Sequence, residues 1–159
     1  MPMPIHMTVE GATQGDLGGG CRIGGRENTM LIDGFEHAVK IPTSPQDGQP
    51  QGKRVHSALT VTKETDEASP LLYLALKQGE RCKVVLKWYR QEANTEQHYF
   101  TTELENALVV NIEPFFPIVF DKATAEYGHM EKVSFTYSKI MWTHEVEGKA
   151  SEDDWLVAE

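Results

Sequence analysis

Lys83-Val84-Val85-Leu86-Lys87-Trp88-Tyr89-Arg90 and Gln97-His98-Tyr99-Phe100-Thr101-Thr102-Glu103-Leu104 are two runs of strand-forming residues, joined by the polar stretch Glu92-Ala93-Asn94-Thr95-Glu96. Valine, tyrosine, phenylalanine and threonine suit a pleated, half-buried surface, and the polar link between them is turn chemistry. This is the signature of an antiparallel hairpin. A third strand signal follows at once over residues 107–113.

Upstream, residues 5–11 alternate loosely and predict a first strand. Residues 30–41 predict one long or two short strands, with Gly34 marking a bend or bulge. Residues 53–64 place Val55, Leu59 and Val61 on one face and Thr60 and Thr62 on the other. Downstream, residues 132–146 carry Val133, Phe135 and Tyr137 on one face, and after Lys139 the large residues shift to Ile140 and Trp142. That slip in a period of two predicts a bulge near Ser138–Lys139. The acidic tail, residues 151–156, holds one aromatic anchor, Trp155.

One helix stands out, over residues 69–78. Ser69 suits a cap, Pro70 the first helical position, Gly79 the stop and Lys77 the negative end of the dipole, while Leu71, Leu72, Ala75 and Leu76 share a side. About seven or eight short strands in consecutive runs, without βαβ alternation, predict a mostly β fold: two antiparallel sheets forming a barrel or sandwich flanked by that helix.

Two loops interrupt the strands. Seven glycines fall between Gly11 and Gly25. Residues 42–52 contain three prolines and two glycines among polar residues, which excludes a central strand and predicts a stiff projecting arm. Pro114-Phe115-Phe116-Pro117-Ile118-Val119-Phe120 is apolar but carries two prolines, and reads as a packed loop or a self-association surface.

The 159 residues carry a formal net charge of −9, which argues against nucleic acid and against an anionic membrane surface. No apolar run approaches the roughly 20 residues of a membrane span. The start lacks a basic n-region and an apolar core, so no cleaved signal peptide is expected; a cytoplasmic fold is the default, and a protein exported without such a signal reads the same. Cys21 and Cys82 are far apart in sequence and favour two reduced thiols over a disulfide.

The search for chemistry is mostly negative. His6, His37, His56, His98, His129 and His144 form no metal motif and read as surface or hydrogen-bonded structural residues. Gly20 and Gly25 have phosphate-loop spacing, but Arg26-Glu27 stand where Lys-Ser/Thr is required. Trp88-Tyr89 is an aromatic pair of which one member belongs to the core of an alternating strand. No catalytic residue, cofactor or metal is expected.

Several stretches taken together resemble the Hcp family, the haemolysin-coregulated tube proteins of type VI secretion. They are Val9-Glu10-Gly11-Ala12-Thr13-Gln14-Gly15, then Phe35-Glu36-His37-Ala38-Val39 running into Pro42-Thr43-Ser44-Pro45, then Arg54-Val55-His56, the helix from Ser69 to Leu76, Leu86-Lys87-Trp88-Tyr89-Arg90, and Tyr137-Ser138-Lys139-Ile140-Met141-Trp142-Thr143-His144. Residues 16–29 depart from the pattern: they are short and glycine-rich where the family carries strand material, so an edge is expected to differ. The resemblance implies one tube domain over residues 1–159, closing as a homo-hexameric ring with a wide hole. Rings stack into a tube driven out of the cell by a contractile sheath, tipped by a spike (VgrG-type) protein and accompanied by effector proteins. It implies a cytoplasmic protein before firing and a secreted one after. The arm, Pro42, Thr43, Ser44, Pro45, Gln46, Asp47, Gly48, Gln49 and Pro50, then reads as the self-association loop. The alternatives are a ring-shaped carrier or chaperone binding an effector in its lumen, and a small hydrolase using a histidine; the chain's end at Glu159 is expected to leave no room for a fused toxic domain.

Overall fold

The computed structural model describes residues 3–155; Met1-Pro2, and Leu156 with the end of the acidic tail, lie outside the described residues. In chain order the elements are β1 (Ile5–Gly11), β2 (Gly15–Asp16), β3 (Met30–Glu36), β4 (Val39–Lys40), β5 (Val55–His56), β6 (Leu59–Glu64), α1 (Ser69–Gln78), β7 (Cys82–Glu92), β8 (Thr95–Phe115), β9 (Met130–Thr136), β10 (Lys139–His144) and β11 (Lys149–Asp154). A short 3-10 turn covers Lys122–Thr124.

The strands are antiparallel, and six of them close on themselves in the order β8, β7, β1, β3, β6, β9, with β9 returning to β8. Closure removes the two open edges a six-stranded sheet would otherwise present. β10 and β11 extend from β8 outside the barrel, β2 pairs with the end of β1, and β4–β5 form a separate two-stranded ribbon. The alternating faces of these strands supply the interior: Met7, Val9, Met30, Ile32, Leu59, Val61, Val84, Leu86, Leu104, Val133 and Phe135 are buried. Each contributes about 1.5–3 kcal/mol of burial. α1 lies against β8 and adds Leu72 and Ala75 to the same core.

The β7–β8 hairpin turns on Ala93 (φ 49°) and Asn94 (φ 67°), both left-handed, the primed turn that matches strand twist. The register of β3 against β6 slips between Ile32 and Gly34, so the expected irregularity at Gly34 is a bulge. Gly79 ends α1 at φ 63°, and its N–H returns to the last turn of the helix. Cys21 and Cys82 are free and buried, and burial pushes the Cys82 thiol up to about 11.

Several expectations are corrected. The predicted strands 97–104 and 107–113 are one 21-residue strand, β8, bent where Asn106 takes φ 51°. Its first half lies between β7 and β10, its second beside β9, so one strand serves both the barrel and the extension. The slip near Ser138–Lys139 is a corner rather than a bulge: the chain leaves β9 at Tyr137, Ser138 N–H donates to Glu105 O at 3.1 Å, and β10 begins beside the other half of β8. Residues 53–64 are two strands, and the break at Ser57-Ala58 turns Val55 out and His56 in. Ser69 is not the cap but the first helical residue, its Oγ accepting from Asp66 N–H at 3.0 Å, while Leu76 stays exposed. The acidic tail forms β11 along its length to Asp154. Among the described residues eleven strands therefore stand where seven or eight were expected.

A charged cluster is buried beside the core. The Lys63 ammonium, with no exposed surface, donates to Glu131 Oε1 at 2.7 Å, Asp66 Oδ1 at 3.0 Å and Glu64 O at 3.0 Å. Ser69 Oγ donates to the same Glu131 oxygen at 2.6 Å. This cluster fastens the turn that launches α1 to the ladder of β6 and β9.

Candidate assembly interface

The arm over residues 42–52 rises from the β4–β5 ribbon and is bonded to itself. Gln51 N–H donates to Pro42 O at 2.6 Å, Ser44 N–H to Gln49 O at 2.8 Å and Gly48 N–H to Ser44 O at 2.9 Å, and Thr43 faces Pro50 in an isolated bridge. Asp47 Oδ1 accepts from Gln49 N–H at 3.0 Å, and Gly48 supplies the left-handed turn at φ 73°. All nine arm residues named from the sequence are thus gathered in one projection, exposed except for partial cover at Pro42 and Ser44. At its base Val39, Ile41 and Val55 present aliphatic side chains to solvent.

The root of the arm is fixed from a distance. Arg54 grips Asp153 on β11 with both ends of its fork, Nε to Oδ2 at 2.6 Å and Nη2 to Oδ1 at 2.5 Å, and also reaches Asp154 O at 3.1 Å. Hydrogen bonding from Arg54 holds the Asp153 carboxyl below the usual carboxylate range. The same Oδ2 lies 2.6 Å from His56 Nε2, and His56 Nδ1 lies 2.6 Å from the Tyr137 hydroxyl. That hydroxyl also meets His37 Nε2 at 2.8 Å. Burial pushes the Tyr137 phenol up and the His37 imidazole down, so both hold their neutral forms. Trp155 closes the cluster, its ring 5.3 Å from those of His56 and Tyr137. The sequence named the histidines singly; the fold brings His37 and His56 together with Arg54, Tyr137 and Asp153. The one legible hint was the aromatic residue in the acidic tail.

The remaining histidines are dispersed. His6 lies under Arg26, whose guanidinium also covers the Tyr89 ring at 3.9 Å and pairs with Glu96. This pins the glycine-rich loop to the β7–β8 hairpin and spends the charge that a phosphate would need. Burial and Arg26 push the His6 imidazole down. His98 meets Thr101 Oγ1 at 2.8 Å, His144 accepts from Glu147 N–H at 3.2 Å and His129 lies tilted against Phe116, centroids 6.0 Å apart. Among the described residues no three His, Cys, Asp or Glu side chains are grouped to hold a metal, and no helix is long and apolar enough to cross a membrane.

At the far end of β8 the apolar segment expected to pack or to associate leaves the barrel uncovered: Phe116 is 64%, Ile118 73%, Val119 78% and Phe120 93% exposed. The barrel thus carries an anchored arm and, beyond β8, exposed aromatic and aliphatic groups.

The family profile described as "Type VI secretion system effector, Hcp" matches residues 6–144. The chain belongs to the Hcp family. The "Major exported protein" of Pseudomonas aeruginosa is 44% identical over 166 aligned positions, covering 98% of this chain and 96% of that protein. Among solved structures, one described as "Crystal structure of Hcp protein" has a TM-score of 0.90 at 33% identity, covering 98% of this chain and 99% of the other. The secreted protein Hcp3 of Pseudomonas aeruginosa has a TM-score of 0.79 at 38% identity, covering 97% and 99%. The Hcp motif residues fall at structural joints. Gln14 Nε2 reaches Leu71 O at 3.2 Å at the start of α1, and Arg54, His56 and Tyr137 are the anchor of the arm. The glycine-rich departure folds as a closed loop without a strand between residues 17 and 29, Cys21 N–H donating to Thr29 O and Asn28 N–H to Cys21 O, each at 3.0 Å. Gly19 is required there, since a Cβ would come within 2.4 Å of the Thr29 backbone.

Proposed function

We propose that this chain is a structural subunit of the type VI secretion tube, acting over residues 1–159 as one tube domain. Six copies close as a ring, rings stack, and the tube leaves the cell with effector proteins, meeting a sheath around it and a spike at its tip. The role is one of assembly, not of catalysis. The observation that carries the reading is the arm: in a member of the Hcp family, residues 42–52 project as a self-bonded loop whose root is clamped to β11 by Arg54. Such a projection meets a surface unlike itself, the condition for rings and stacks rather than twofold dimers. Pro42, Thr43, Ser44, Pro45, Gln46, Asp47, Gly48, Gln49 and Pro50 form the self-association loop.

Negative-stain images and sedimentation of the purified chain test this. Rings and short tubes are expected, and a strict monomer at high concentration overturns the proposal. Removing residues 46–51 is expected to abolish stacking with little change in Tm, because no side chain there enters the core; intact tubes with a collapsed Tm would contradict it.

A further inference from the structure

Alternation along β1 sends Ile5, Met7 and Val9 into the core, and so turns His6 to the outside of the barrel. Yet His6 is only 3% exposed. Its cover is the glycine-rich loop, residues 17–29, which lays Cys21, Arg26 and Thr29 against the ring. Tyr89 of β7 closes the side, edge-on to the imidazole with centroids 5.1 Å apart.

The contacts fix where the imidazole carries its hydrogen. A guanidinium has donors only. Arg26 Nη1 lies 3.3 Å from His6 Nε2, so Nε2 accepts and is bare. The ring's one hydrogen then sits on Nδ1 and is donated to Thr29 Oγ1 at 3.0 Å, while that hydroxyl donates to Arg26 O at 2.8 Å. Cys21 Sγ is 3.9 Å from the same Nδ1. Neutral His6 thus holds the loop at both nitrogens.

A second proton has one place to go, Nε2, where it points at the Arg26 guanidinium. The hydrogen bond is lost and two cations stand in contact. Lys87, paired opposite His6 on β7, adds to the positive charge, and Glu96 offsets part of it while already engaged by Arg26. On the other side β3 sets the apolar Leu31 opposite His6. Burial and Arg26 accordingly hold the imidazole below its ordinary 6.5. The loop's other ties are slight. Gly20 N–H donates to Asp66 Oδ2 at 3.3 Å, and Arg22 approaches Glu67 at 3.9 Å with both side chains exposed, a kind of pair that contributes little.

We propose that His6 is an acid-released latch: a proton on Nε2 expels Arg26, and the glycine-rich loop lifts from β1 and β7 with the barrel intact, uncovering Cys21. One proton is taken up per opening, so the opening constant rises about tenfold for each pH unit below the open-state imidazole value, and levels off where the closed ring itself titrates. The latch is a property of the single chain and stands apart from how copies assemble.

The test uses the full chain with Cys82→Ala, which leaves Cys21 as its one thiol. The probe is dithiodipyridine, which labels thiols in acid as well as at neutral pH. At each pH the labelling rate of the folded chain is divided by that of the chain unfolded in urea, which cancels the ionisation of the thiol. The ratio is expected to be flat above about pH 7 and to rise about tenfold per unit as pH falls below about 6. His6→Gln, whose amide oxygen still accepts from Arg26 but takes up no proton, is expected to keep the ratio at its neutral value throughout. Arg26→Gln, on the loop and away from the core, is expected to raise the ratio severalfold at neutral pH and to flatten its rise, and decides the matter where His6→Gln does not fold. In amide hydrogen exchange, protection at Cys21 and Asn28, whose N–H groups close the loop, is expected to fall over the same range while the β6–β9 ladder keeps its own. A wild-type ratio that stays flat overturns the latch. So does a rise that survives both substitutions, or ladder amides that lose protection together with the loop.

Discussion

Replacing Lys63 by methionine keeps an unbranched apolar stem and deletes the charge with its hydrogen bonds to Glu131, Asp66 and Glu64 O. In the native chain that ammonium has no exposed surface and holds Glu131, whose side chain is 2% exposed. After the change Glu131 keeps one bond, from Ser69 Oγ, and faces an apolar interior with its charge unpaired. Breaking a buried pair from one side costs about 3–5 kcal/mol, roughly a fifth or more of a total that is typically about 5–15 kcal/mol. For a chain of this size that is a Tm lower by roughly 6–20 °C, or with m near 2 kcal/mol/M a urea midpoint lower by about 1.5–2.5 M. Association stabilises the folded state by mass action, so variants are compared at one protomer concentration. Adding Glu131→Leu removes the orphaned charge, and the double variant is expected to regain most of the loss, since apolar replacements of buried pairs are often neutral or better. A Lys63→Met variant within about 1 kcal/mol of wild type, or a double variant no more stable than the single, would refute the view that this pair is buried and mutually dependent.

Asp153→Asn is expected to cost about 1.5–3 kcal/mol, the worth of hydrogen bonds to a charged group, and to shorten tubes in electron micrographs by loosening the arm; unchanged tube length argues that the root is held otherwise. Stability is expected to fall on acidification. His6 and His37 have folded values below 6.5, so their contribution is whole above 6.5 and is lost as pH falls from there to the depressed values. Asp153 follows the same sign further down, its contribution present above 3.8 and lost as pH falls through its lowered folded value. Urea midpoints from pH 7.5 to about 2 check this, and His37→Gln is expected to flatten the slope between about pH 7 and 5; a midpoint that rises toward acid contradicts it. Both thiols are expected to resist Ellman's reagent at pH 8 in the folded chain and to react once denatured, because Cys21 and Cys82 are buried and the Cys82 thiol is pushed up to about 11.

The sequence was most legible where backbone chemistry is local. Pro70 and Gly79 bracketed α1, Ala93-Asn94 marked the hairpin, and Gly34 marked the bulge, because each answers to its own φ and ψ. It was least legible where a strand changes partners. Alternation tells which face a residue takes, not which neighbour it pairs with. Glu105-Asn106 therefore read as an end when β8 continues through it, and Ser138–Lys139 read as a slip when the chain turns a corner. β11 went unseen because Lys-Ala-Ser-Glu-Asp-Asp is an edge strand facing water, with no apolar alternation to show. Lys63 and Glu131 occupy inward positions as charges, 68 residues apart, and no pattern joins them. The arm's extent was plain from its prolines and glycines, but its anchor was not: Arg54 and Asp153 are 99 residues apart.

That separation also sets an order in time. A chain is made from its N-terminus, at about 5–20 residues per second, so the arm emerges several seconds before the strand that fixes it. The closing ladders are as distant, Met7 with Leu86 and Leu59 with Phe135, and such non-local pairing is slow. Until β11 arrives, the contacts of Arg54 and His56 with Asp153 cannot form. The clamp on the arm is therefore among the last contacts that a growing chain can complete.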